Sequence, residues 1–95
     1  MLITPDEYVL LLAKRWLKLQ SDLGRAQATL TAYRSALRHY FAFCSQHRFK
    51  PEKARFEDMA AYISSQLPGM PFPAASTTFQ LRLSAIRLWY DFLMY

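Results

Sequence analysis

Glycine is scarce in this sequence, and that scarcity limits the folds it can adopt. Only Gly24 and Gly69 occur in 95 residues. Sheet-rich domains join short strands through tight turns, and those turns depend on glycine for backbone conformations that other residues avoid. The five prolines stand near positions where helices would begin or end, as expected of a helical chain. With 53% hydrophobic residues, the chain has enough apolar surface for one folded helical domain.

The first helix is predicted to begin at the capping box Thr4-Pro5-Asp6-Glu7, in which proline takes the first helical position. Gly24 provides its stop. Between them an apolar stripe recurs at helical spacing, which indicates the core-facing side. The stripe consists of Tyr8, Leu12, Trp16, Leu19 and Leu23.

The second helix is expected to be capped by Thr29 and to have two contrasting faces. Its apolar face predicts a core stripe and consists of Leu30, Tyr33, Leu37, Tyr40, Phe41 and Cys44. Its wet face is positive and hydroxyl-bearing, and consists of Thr31, Arg34, Ser35, Arg38 and Ser45, interrupted by Ala42.

A loop over residues 48–55 and a shorter third helix from about Glu57 to Gln66 follow. The third helix is predicted to bury Met59, Tyr62, Ile63 and Leu67. Pro68, Gly69 and the prolines at 71 and 73 then break the chain, and Phe72 is expected to pin this loop to the core.

The fourth helix is predicted to be capped by Ser76 or Thr77 and to continue to the last residue. It is apolar on almost every side, which is typical of a helix that is central to the fold or covered by another domain. One face consists of Phe79, Leu83, Ile86, Tyr90 and Leu93, and the nearly opposite face of Leu81, Leu88 and Phe92. We therefore expect residues 1–95 to form one compact, all-α four-helix bundle, as a fragment of a longer protein.

Positive charge is concentrated in part of the chain. Lys and Arg total 12 and Asp and Glu total 7, so the net charge is +5, which favours an anionic partner such as nucleic acid. No acidic residue lies between Leu23 and Pro51, whereas five basic residues do. This stretch is a candidate anion-facing surface.

The second and fourth helices carry the candidate DNA contacts. Hydroxyls and free N–H groups at helix N-termini suit phosphates, and Arg and Gln can also read base edges. For any single residue, an ordinary solvated face is the competing interpretation. The candidates are Thr29, Thr31, Arg34, Arg38, Ser76, Thr77, Thr78, Gln80, Arg82 and Arg87. A solvated helix face is also the preferred interpretation of Lys14, Arg15 and Lys18.

No arrangement of side chains predicts catalysis, a cofactor or a metal ion. His39 and His47 are eight residues apart, whereas two ligands on one helix face need a spacing of three or four. Cys44 falls in the apolar stripe and is expected to fill the core. The adjacent acids at positions 6–7 and 57–58 stand at helix starts, where they complement the helix dipole.

The chain is expected to be soluble and cytoplasmic. A lone cysteine suits a reducing compartment, and the acidic start differs from a signal peptide. The longest apolar run, residues 8–13, is far shorter than the ~18 residues of a membrane span.

The aromatic residues of the second and fourth helices recur at helical spacing, which favours a core over a base-stacking surface.

Three segments resemble the N-terminal SAM-like, core-binding domain of tyrosine recombinases and phage integrases. Residues 29–43, with Thr29, Tyr33 and Leu37 before paired aromatics, resemble the second helix of that domain. Residues 56–63 resemble its third helix. Residues 82–93, with Leu-Ser-Ala-Ile-Arg before further aromatics, are similar to its most recognisable stretch.

The resemblance implies an orthogonal bundle of two crossed helical hairpins that grips double-stranded DNA during site-specific recombination and integration. It implies a separate catalytic domain in the same chain, with an Arg-rich site and a tyrosine nucleophile, and further recombinase protomers on the DNA. Helices two and four would approach the major groove. One departure is Ala26, where the family commonly has serine, so a phosphate contact from that hydroxyl would be lost.

A second function class remains open at this point, namely a helical protein-interaction or oligomerisation module that uses Leu81, Leu88 and Phe92. Substitution of Arg34 and Arg38 separates the two hypotheses, because only DNA binding depends on those charges.

Overall fold

The structure is a computed structural model that describes residues 5–94. Within this range the chain forms four α-helices, one short 3-10 helix and no strand. The helices are α1 (Pro5–Asp22), α2 (Gln27–Gln46), α3 (Phe56–Ser64) and α4 (Ser76–Leu93), and the 3-10 helix is Pro51–Lys53. The helices pack against one another, so the predicted all-α four-helix bundle is confirmed.

The core of the bundle is built around α2, which packs against both α1 and α4. Its centre is aromatic: Tyr40, Tyr62 and Trp89 are all 0% exposed. Phe41 meets Trp89 edge-to-face with 5.1 Å between ring centroids, a geometry that aromatic pairs favour. The aromatic residues of α2 and α4 therefore form the core, as predicted, and do not form a base-stacking surface.

The predicted faces of α2 are confirmed. Tyr33, Leu37, Tyr40 and Cys44 are buried, whereas the polar residues of the opposite face are exposed. Both histidines are exposed and have side-chain partners: the His39 ring is hydrogen-bonded to the Tyr62 hydroxyl, and His47 stacks on Phe43.

The predicted helix caps are wrong at two of the helices. Ala26 precedes α2 and Ala75 precedes α4, both with extended backbone and without a side-chain cap. Each helix begins directly after its alanine, so Thr29 and Thr77 lie inside the first turn, and Ser76 is the first helical residue. The predicted cap at Thr4 lies outside the described residues. In α3, by contrast, the Arg55 backbone N–H donates to the Asp58 carboxylate at 2.9 Å.

The predicted apolar stripe of α1 is only partly correct. The buried residues are Val9, Ala13, Trp16 and Gln20, whereas three members of the predicted stripe are substantially exposed, Tyr8 at 50%, Leu19 at 42% and Leu23 at 69%. Because residues 8–13 are apolar without interruption, the spacing alone could not decide which adjacent stripe faces the core.

The loop between α3 and α4 also differs from expectation. Phe72 is 87% exposed, so it does not pin the loop to the core. Leu67 was predicted to be buried, but it lies beyond the end of α3 and is 43% exposed. The third helix ends at Ser64 rather than Gln66; Pro68 disfavours helical backbone at Leu67 and so promotes an early end.

Among the helices of residues 5–94, none combines the length and the apolar character that a membrane span requires.

A chain of hydroxyl groups crosses the core between α2 and the 3-10 helix. The Tyr90 hydroxyl donates to the Pro51 carbonyl at 2.5 Å, so the Tyr40 hydroxyl must donate to Tyr90, also at 2.5 Å. Burial raises the pKa of Tyr90 to about 12. These bonds tie α4 to the segment that follows α2.

Cys44 is expected to be inert to thiol reagents until the protein unfolds. The side chain is 1% exposed, and burial raises the pKa of its thiol to about 12. At about pH 8 the reactive thiolate is therefore a minute fraction of the thiol. Absorbance after addition of an aromatic disulfide reagent should show no reaction in buffer and one equivalent in denaturant. Rapid reaction of the native protein would contradict the buried position.

Candidate nucleic-acid interface

A groove between α1 and α2 carries four positive side chains. Lys14 and Lys18 line it from α1, and Arg34 and Arg38 from α2. In each pair the spacing of four residues places both side chains on one helix face. No carboxylate is among the residues that line this groove. Its wider end has a volume of about 590 Å³. Since a water molecule occupies about 30 Å³ in the liquid, this volume has room for a phosphate group together with several water molecules.

The floor of this cationic groove is apolar. Leu10, Leu17 and Phe41 lie at its narrow end. Long basic side chains commonly lay their aliphatic stems on such a surface and keep their charged ends in water. The floor therefore supports the cations without neutralising them.

Ion pairing leaves most of the groove's charge unbalanced. Lys18 meets Asp22 at 3.5 Å, but the two side chains are 78% and 62% exposed, and such surface pairs bind weakly. Arg34 and Arg38 are exposed and form no ion pair with any residue that the structure describes. Both guanidinium groups are available to an external anion.

The N-termini of α2 and α4 add two further positive regions. Neither helix has an acidic residue in its first turn or a side-chain cap, whereas α3 has Glu57 and Asp58 there. Free N–H groups at a helix start attract anions. At α4 they are accompanied by the exposed hydroxyls of Ser76, Thr77 and Thr78.

Arg82 lies at the junction of α2, α3 and α4 and is fixed there. Its guanidinium donates to the Gln66 side-chain oxygen at 2.8 Å, and Gln66, which is 3% exposed, donates in turn to the Tyr62 carbonyl. The nearby His39 ring is hydrogen-bonded to the Tyr62 hydroxyl at 2.9 Å. Partial burial, and then the charge of Arg82, lowers the pKa of His39. The fixed positive charge here is therefore Arg82.

The residues predicted from the sequence fall into separate groups. Thr31, Arg34 and Arg38 share the exposed side of α2, while Thr29 is half-buried in its first turn. On α4, Gln80 and Arg87 are seven residues apart and share one exposed face. That face is opposite the buried Ile86 and Trp89, so it points away from Arg82.

Lys14 and Lys18 were missed as members of the site, because the sequence favoured a solvated face for them. Their spacing of four residues was visible, but which face of α1 borders α2 was not. The structure shows that this border is the one that carries the two lysines.

Comparison with protein families gives a match over most of the chain. The model of the family described as "Phage integrase, N-terminal SAM-like domain" matches residues 13–95, which include α2, α3, α4 and about half of α1. The matched part of that family is not its catalytic domain. Comparisons with curated proteins and with solved structures gave no match.

Proposed function

The chain belongs to the family of phage integrase N-terminal SAM-like domains, and on this premise we propose that it binds double-stranded DNA as the core-binding domain of a tyrosine-type site-specific recombinase. The observation that carries the proposal is the cationic groove of Lys14, Lys18, Arg34 and Arg38. A surface with four cations and no lining carboxylate suits a polyanion, and the phosphate backbone of DNA is a dense one.

In this proposal the groove and the helix starts hold the sugar–phosphate backbone. Lys14 and Lys18 contact phosphates as point charges. Arg34 and Arg38 can bind phosphate through two parallel hydrogen bonds, or reach guanine in the major groove with the same geometry. The uncapped starts of α2 and α4, with the hydroxyls of α4, set the register of the protein on the duplex. Arg82, fixed by Gln66, adds a positioned charge.

The proposal assigns binding to this domain and the chemical step to another part of the protein. Residues 1–95 are proposed to form a single core-binding domain, and a catalytic domain in the same chain would close on the opposite side of the duplex. We also propose that other recombinase protomers bind the same DNA. The proposed location is the cytoplasm, where that DNA is found.

The apolar surface of α4 that is free to contact a protein partner is smaller than the sequence suggested, which weakens the competing protein-interaction hypothesis. Leu81, Leu88 and Phe92 are half-buried and packed against the core. Leu88 and Phe92 border a groove with Leu12 and Trp16 of α1, so α1 already covers part of that side of α4.

A salt series on duplex DNA tests the proposed function. Each phosphate neutralised contributes about −0.9 to the slope of log affinity against log salt, so full use of the four groove cations gives a slope of about −3 to −4. Fluorescence anisotropy with a labelled duplex measures it. The matched variants K14Q and R15Q change adjacent lysine and arginine residues, of which only Lys14 lines the groove. K14Q should make the slope shallower by about one, whereas R15Q should leave it unchanged. A slope near zero, or no binding at low salt, would refute DNA binding by this domain.

A further inference from the structure

Phe72 is an exposed aromatic side chain that does not belong to the hydrophobic core. It is 87% exposed on the loop between α3 and α4, with Leu67 and Met70 also exposed, at 43% and 44%. Exposed apolar side chains grouped within six residues of one loop are a candidate contact surface. The proposed phosphate contacts do not involve Phe72.

The loop presents this ring on a constrained backbone. Pro71 and Pro73 stand on either side of Phe72 and fix their own φ angles. The ends of the loop are joined, because the Ala74 N–H donates to the Gln66 carbonyl at 3.0 Å. Gln66 is itself held by its buried side chain, which bonds to Tyr62 and Arg82. A loop backbone held in this way loses little freedom when the ring binds.

The surroundings of Phe72 favour a polyanion over an acidic or neutral protein surface. Phe72 borders a shallow depression with His39, Ala42 and Gln46 of α2. These residues belong to the exposed side of α2 that also carries Arg38. No acidic residue occurs between Asp58 and Asp91, a span that includes the whole loop and most of α4.

We propose that Phe72 is a wedge that stacks on a base at an unstacked step of the bound duplex, next to the backbone contacts made by α2 and α4. This inference rests on the proposed DNA binding. Apolar side chains can insert between base pairs where a protein deforms DNA, and an aromatic ring stacks on any base without reading its identity. The wedge would make this domain sensitive to DNA flexibility as well as to DNA charge.

The test compares an intact 30-base-pair duplex, a length set by about three helical turns, with the same duplex carrying one unpaired base. An unpaired base removes most of the cost of unstacking, so the unaltered chain should bind the bulged duplex several-fold more tightly. F72A should weaken binding to the bulged duplex by on the order of tenfold and abolish the preference. F56A is the matched control, since Phe56 is 85% exposed but is followed by Glu57 and Asp58, and it should retain the preference.

A fluorescent variant gives a direct readout of the ring. Trp16 and Trp89 are 1% and 0% exposed, so in F72W the introduced indole dominates quenching by acrylamide. Protection of that indole by the bulged duplex supports the wedge, and an equally quenchable indole in free and bound protein overturns it.

The other outcomes separate the wedge from the proposed function. If F72A binds both duplexes like the unaltered chain, the wedge is wrong and DNA binding stands. If the unaltered chain binds neither duplex at low salt, the proposed function itself has failed, and the wedge fails with it. If F72A leaves DNA affinity intact but reduces self-association in sedimentation, Phe72 is a protein contact and the wedge is overturned.

Discussion

The double charge reversal R34E/R38E is expected to weaken binding to duplex DNA by on the order of a hundredfold or more at low salt. Two exposed cations of the groove become anions, so two attractive phosphate contacts become repulsive. The slope of log affinity against log salt should become shallower by about two, since two fewer counterions are displaced. Titration of labelled duplex across a salt series measures both quantities. Both arginines are exposed and have no ion-pair partner within residues 5–94, so the circular dichroism spectrum should not change.

The control for this experiment is R15E/K53E. Either double variant lowers the net charge by four, from +5 to +1. Arg15 and Lys53 are exposed, and neither lines the cationic groove. If this control loses as much affinity as R34E/R38E, binding reflects total charge and the groove has no special role. If neither variant changes binding, the result favours the protein-interaction hypothesis.

The second helix shows where sequence reasoning works well. Its apolar residues fall on one side and its charged residues on the other, so a single orientation satisfies the hydrophobic effect. Leu37 and Tyr40 are buried, and Arg34 and Arg38 are exposed, as predicted. A strongly one-sided helix leaves tertiary packing little to decide.

The first helix shows where sequence reasoning is insufficient. Apolar residues occupy both sides of its first two turns, so two orientations have similar apolar content. The structure selects the one with Val9 and Ala13 inside, and that choice also decides that Lys14 borders α2. The candidate site was incomplete for this reason, because half of it depends on the rotation of α1 about its axis.

Hydroxyl-bearing residues caused a different kind of error. Thr29 and Ser76 are good caps in general, but the extended backbone at Ala26 and Ala75 starts each helix earlier than a threonine or serine cap allows. The hydroxyls thereby remain free of capping hydrogen bonds. The predicted caps were therefore wrong, but hydroxyls that do not cap a helix remain available to bind an anion.

Trp89→Ala is expected to be the most destabilising substitution in the domain. Trp89 is 0% exposed and lies in the C-terminal half of α4, where its ring contacts Phe41 and Tyr90 at centroid distances of 5.1 Å. Truncation of a buried tryptophan costs about 3–5 kcal/mol. The whole free energy of unfolding of a small domain is about 5–15 kcal/mol, so W89A should be largely unfolded on warming. Urea denaturation followed by circular dichroism measures the loss.

Two companion variants identify the physical cause. The Trp89 indole N–H has no hydrogen-bond acceptor among the residues that the structure describes, so W89F breaks no hydrogen bond and should cost only about 1–2 kcal/mol. Leu23 belonged to the stripe predicted from the sequence, yet it is 69% exposed, and L23A should change stability by about 0.5 kcal/mol or less. If L23A costs as much as W89A, the predicted stripe is correct and the observed rotation of α1 is wrong. If W89F costs as much as W89A, the loss comes from what only the indole supplies, its second ring or its N–H, and cannot be assigned to a phenyl-sized ring in contact with Phe41.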